Sequence, residues 1–125
     1  MKNLFFLFLP FLLFLFACQK EEGKSGNARI QGSVQHHNQV IPFASVFIHY
    51  GSLESPGTRP ENYQDSVKAD AQGKFEFRDL TQGKYYLYST GWDSQWTPPS
   101  VVFGGIPVEI FQRKESVAVT LPVSE

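Results

Sequence analysis

The sequence predicts an all-β fold over residues 28–125, an antiparallel β-sandwich of about seven strands, preceded by a signal peptide that is cleaved. Three observations predict it. Apolar and polar residues alternate in short runs from Ala28 onward, Gly, Pro, Asn and Asp punctuate those runs, and no helical period interrupts them.

The amino-terminal element stands outside that fold. Lys2 supplies a positive start, and Leu4 to Ala17 is apolar throughout, broken only by Pro10. The run is short of the roughly 20 residues of a membrane span and fits a signal-peptide core of about 7–15. It is apolar on every face, which argues against an amphipathic core helix. Leu15-Phe16-Ala17-Cys18 resembles a bacterial lipobox, with a branched apolar residue, a small residue before the cut, then cysteine. Phe16 is bulkier than usual for that pattern. The resemblance implies that residues 1–17 are removed and that Cys18 begins the mature chain, carrying acyl chains such as palmitate. Each buried methylene contributes about 0.8 kcal/mol, so several chains anchor stably where one does not. Lys20-Glu21-Glu22 resembles the export signal of certain gram-negative lipoproteins, which implies the outer membrane, facing the cell exterior. Residues 18–27 read as a lipidated tether, ending in the flexible Gly23–Asn27.

The strands follow in order. Ile30, Gly32 and Val34 share one face of the first; Ala44, Val46, Ile48 and Tyr50 share one face of the next, with Phe43, Phe47 and His49 opposite. Val67 and Ala69 continue the pattern, then Phe75 and Phe77 alternate with Glu76 and Arg78. Tyr85 and Leu87 oppose Tyr86 and Tyr88, and Val117, Val119 and Leu121 point inward at the end. His36 to Gln39 reads as a tight reversal, Asp70 to Gly73 as a turn with Gly73 at positive φ, and Thr81 to Gly83 as a third turn. Two longer loops remain, Gly51 to Asn62 and Trp92 to Pro99, which serve as decoration or as binding surface.

Composition bounds the function. At 42% hydrophobic and 15% aromatic, the 125 residues can support one packed domain. Lys+Arg 11 against Asp+Glu 12 leaves no basic surface for nucleic acid. Cys18 is the single cysteine, so the folded part has neither a disulfide nor a thiolate metal site.

Four motifs in order, Gly32-Ser33-Val34, Pro42 to Val46, Ala69 to Phe77 and Gly83 to Leu87, follow the pattern of the carboxypeptidase regulatory-like domain, a transthyretin-like, Ig-like sandwich. Ala69 stands where that family often has threonine. The resemblance covers Ala28 to Gly91 and implies a fold that hosts many roles. The residues argue against enzymes of similar pattern. Intradiol dioxygenases bind iron through two tyrosines and two histidines, and no histidine follows His49. Hydroxyisourate hydrolases end in Y-R-G-S, whereas this chain ends in Leu121-Pro122-Val123-Ser124-Glu125. His36 and His37 are adjacent in a turn and His49 lies on a strand, which favours solvated or sheet-face histidines over a metal site. No nucleophile elbow appears. The expectation is no enzyme, no catalytic residues, no metal and no cofactor.

The aromatics are the remaining clue. Phe43, Phe47, Tyr86 and Tyr88 face away from the inferred core, with Trp92 and Trp96 in the loop beyond. Either this face is exposed, or the apolar segment Ser94 to Gly105 covers it. The expected function is a lipid-anchored, non-catalytic binding or structural module whose partner is a protein of an outer-membrane assembly. The alternative is a carbohydrate-binding module using Tyr86, Tyr88, Trp92 and Trp96 as a ligand platform. A third reading is an enzyme of the transthyretin-like or dioxygenase-like sandwich group.

Overall fold

The computed structural model describes residues 23–125; the expectations for Cys18, Lys20, Glu21 and Glu22 fall outside the described residues. The described residues form eight strands: β1 (Lys24–His36), β2 (Gln39–Val40), β3 (Ser45–Tyr50), β4 (Asp65–Lys68), β5 (Lys74–Leu80), β6 (Gly83–Asp93), β7 (Ser100–Ile110) and β8 (Ser116–Pro122). A 3-10 turn spans Pro60–Asn62. The strands make two sheets that pack as a sandwich.

In the first sheet β1 is central. It pairs antiparallel with β2 and β5, and parallel with β8. Val34 donates to Gly73 and accepts from Ile41, so β5 and the β2 hairpin share one edge of β1. The second sheet runs β4-β3-β6-β7, antiparallel throughout. Alternation put the core where it was expected. Ile30 and Val34 of the first sheet meet Val46, Ile48, Tyr85, Leu87 and Val102 of the second, all fully buried. Burying one such side chain contributes about 1.5–3 kcal/mol. Tyr85 can sit there because its hydroxyl donates to Thr81 O at 2.7 Å. Gly73 takes φ +74, as the Asp70–Gly73 turn requires, and Asp70 Oδ1 accepts the N–H groups of Gln72 and Lys74.

Three features differ from the sequence-based expectation. β8 lies parallel to β1, because the chain leaves β7 in one sheet and crosses to the other before pairing. Val117 and Val119 are only half-buried there, since β8 pairs with β1 alone. Residues 23–27 are not a free leash: Gly23 donates to Thr81 Oγ1, Thr81 N–H returns a bond to Gly23 O, and Lys24 begins β1. Finally, residues 100–105 do not cover the aromatic face. They are the first half of β7, paired beside β6 from Asp93↔Ser100 to Tyr88↔Gly105.

Candidate functional site

Every second residue of β6 from Tyr86 to Trp92 points away from the core, so Tyr86, Tyr88 and Trp92 share the outer face of the second sheet. The register extends this face sideways. Phe47 opposes Tyr88, which opposes Gly105; His49 opposes Tyr86, which opposes Pro107. Part of the face is covered, by the Gly51–Asn62 loop rather than by residues 94–105. The loop returns at Tyr63, which is 8% exposed. Its ring stacks on Tyr88 at 5.8 Å and lies 5.8 Å from Phe47. Its hydroxyl donates to Gly57 O at 2.7 Å, closing the loop on itself. Burial pushes the phenols of Tyr63 and Tyr88 above their usual range. Tyr86 lies over Gly105, where an added Cβ would stand 2.6 Å from the Tyr86 hydroxyl.

Beyond Thr90 the cover ends. Trp92 is 55% exposed; Val101, its cross-strand partner, is 60% exposed, and Phe103, opposite Thr90, is 47% exposed. Thr90 also opposes Ser45, and Phe43, two residues before Ser45, is 59% exposed. Trp92, Val101 and Phe103 form an open apolar strip at one end of the sheet. A flat indole beside two apolar neighbours is a surface for stacking a ring with little directional constraint.

Trp96 is elsewhere. Asp93 Oδ1 accepts the N–H groups of Gln95 and Trp96, which tightens the turn after β6. That turn lays the Trp96 ring on His37, with centroids 4.3 Å apart and planes 3° from parallel. The four expected platform residues are therefore divided. Tyr88 belongs to the covered cluster, Tyr86 to its margin, Trp92 to the open strip, and Trp96 to a separate histidine cluster.

That cluster lies where the ends of β1 and β6 meet the C-terminal residues. His36, expected as a solvated turn residue, is buried, and its Nδ1 is 2.7 Å from Asp93 Oδ2. The hydrogen bond from His36 and the Gln95 and Trp96 N–H groups hold the Asp93 carboxyl below the usual range, against the opposing effect of burial. The signal for this pairing was present in the sequence. Period two carries the inward face of β1 from Ile30 and Val34 to His36, and that of β6 from Tyr85 and Leu87 to Asp93. A separate shallow cleft of about 590 Å³, lined in part by Ser33, Lys68, Asp70, Lys74 and Glu76, contains no histidine or tryptophan.

No family model matches the chain. A search of curated proteins returns no match. Among solved structures, the chain is similar to a protein of Pseudomonas aeruginosa described as a "putative carbohydrate binding protein", at 16% identity and TM-score 0.54, over 86% of this chain and 93% of that one. It also aligns with a DUF3823 family protein of Parabacteroides merdae at 15% identity and TM-score 0.47, over 78% of this chain and 45% of that one. At such identities the first likeness shows a shared β-sandwich fold.

Proposed function

We propose that this chain is a lipid-anchored, non-catalytic binding module whose open apolar strip takes a carbohydrate ring, with Trp92 as the stacking surface. The observation that carries the reading is the exposure of Trp92 together with Val101 and Phe103 on one face, beside a covered aromatic cluster. An indole face releases water onto a sugar's apolar C–H surface, while the sugar hydroxyls keep their own solvent. The platform proposed here is narrower than Tyr86, Tyr88, Trp92 and Trp96 together, because Tyr63 occupies the face of Tyr88. Two things support the wider assignment. The carboxypeptidase regulatory-like motifs fall on consecutive strands and turns of the sandwich, and the fold is shared with the Pseudomonas aeruginosa protein. Anchorage at Cys18 and exposure at the outer membrane rest on the Leu15–Cys18 and Lys20–Glu22 motifs.

The test is a glycan array probed with purified full-length protein, followed by Trp92→Ala. A bound glycan whose affinity falls at least about tenfold in Trp92→Ala, equivalent to about 1.4 kcal/mol, is the expected result. No glycan bound, or a Trp92→Ala protein that binds unchanged, overturns it. An outer-membrane protein partner is the competing occupant of the strip. Its signature would be a stable companion on gentle extraction that is lost in Trp92→Ala.

A further inference from the structure

His36, His37 and Glu125 each bring a ligand atom to one point, with all three atoms within 4.8 Å of one another. Three chain segments converge to do this. β1 supplies His36 and the turn after it supplies His37, β6 supplies Asp93, and the C-terminal residues supply Glu125. Val123 N–H donates to Gln35 O, and Ser124 exchanges backbone bonds with Phe103, so the tail is fixed to both sheets just before Glu125.

The chemistry of His36 singles this cluster out. Its side chain is 1% exposed. With Nδ1 engaged by Asp93 Oδ2, Nε2 is the ring nitrogen that faces Glu125. Nε2 is buried and makes no hydrogen bond of adequate geometry, although Glu125 Oε2 lies 2.7 Å away. Nε2 and Oε2 thus converge on one point, where they can share a cation. A carboxylate on the far nitrogen of a ligand histidine is the outer partner that metal-binding histidines regularly have. His37 is constrained as well. It sits at φ +50 with Asn38 at φ +64, the two central positions of a tight hairpin where glycine or asparagine is usual. Trp96 stacked on the ring restrains its rotation.

We propose that His36 Nε2, His37 and Glu125 form a binding site for a divalent metal ion of the zinc class, with Asp93 orienting His36. Two imidazoles and one carboxylate suit zinc rather than calcium or magnesium, which take oxygen ligands. Three protein ligands leave a fourth position open to water or to a ligand group. Bonds of about 2.0–2.1 Å place tetrahedral ligand atoms about 3.3 Å apart, so Nε2 and Oε2 must open slightly. The Glu125 side chain, 48% exposed, can make that movement. The site shares no residue with the Trp92 strip, so either can fail without the other.

The experiment uses full-length protein stripped with chelator and titrated calorimetrically with Zn²⁺ alone. One Zn²⁺ per chain is expected, with a rise in thermal midpoint. His37→Ala and Glu125→Gln change exposed side chains, so the fold is kept, and each is expected to weaken binding at least tenfold. Asp93→Asn is expected to weaken it about 10–100-fold; if that variant does not fold, the exposed pair decides. In Trp92→Phe, Trp96 is the remaining tryptophan, and its emission is expected to change on Zn²⁺ addition. Absence of stoichiometric Zn²⁺ binding overturns the proposal, as does wild-type affinity in both His37→Ala and Glu125→Gln.

Discussion

A methyl group at Gly105 would stand 2.6 Å from the Tyr86 hydroxyl and 2.7 Å from Leu87 O. The tyrosine could swing away, but the backbone oxygen of a central strand cannot. Gly105→Ala is therefore expected to destabilise the protein by about 1–3 kcal/mol, measured by urea unfolding; a change below about 0.5 kcal/mol would show that β7 is free to shift. The same residue shows what the sequence conveyed and what it withheld. Period two correctly sent Tyr86 and Tyr88 outward, yet no periodicity says that a glycine on the neighbouring strand, two residues from the partner of Tyr86, leaves room for a ring. His36 is the opposite case. Its inward direction follows from Ile30 and Val34 by simple alternation, but its adjacency to His37 made it read as part of a solvated turn. Only the meeting of β1 and β6 ends across the two sheets, joining His36 to Asp93, reveals its role.

At the scale of elements, strands with clean alternation were legible and strands with special positions were not. β5 and β6 stand out by their Phe and Tyr rhythm. β7 carries Gly104, Gly105 and Pro107, residues that weaken a strand signal. Pro107 is tolerated because β7 lies at the sheet edge, pairing with β6 on one side and bridged to Ser124 through Phe103 on the other. The parallel direction of β8 was equally hidden, since it depends on a crossover between sheets rather than on local pattern. The Gly51–Asn62 loop was legible as a loop but not as a cover. Tyr63 holds it down, so Tyr63→Ala is expected to speed proteolytic cleavage within residues 51–62 severalfold while the strands stay intact; unchanged cleavage would mean that the loop is held otherwise. Because the folded-state pKa of Tyr63 is raised, its contribution is fully present below the ordinary phenol pKa of about 10 and is lost as pH rises through the folded value. Cleavage in wild-type protein should accordingly accelerate in that alkaline window.

For the whole molecule, the two sheets close over one core, and both the open strip and the histidine cluster gather near the ends of β6 and β1. The proposed anchor belongs to this scale. Cys18→Ala is expected to leave an unlipidated precursor that no longer partitions into detergent; partitioning like the original would remove the lipoprotein assignment. The tie between Gly23 and Thr81 then has a geometric consequence. Residues 19–22 alone separate Cys18 from a fixed point on the sandwich, a reach of at most about 18 Å over five peptide steps. β1 runs from that point for thirteen residues to His36, up to roughly 40 Å away. A lipid at Cys18 would hold the Gly23 end close against the bilayer and turn the Trp92 strip and the His36 cluster outward, so the module would meet its ligand tip-first, standing on the membrane rather than lying along it.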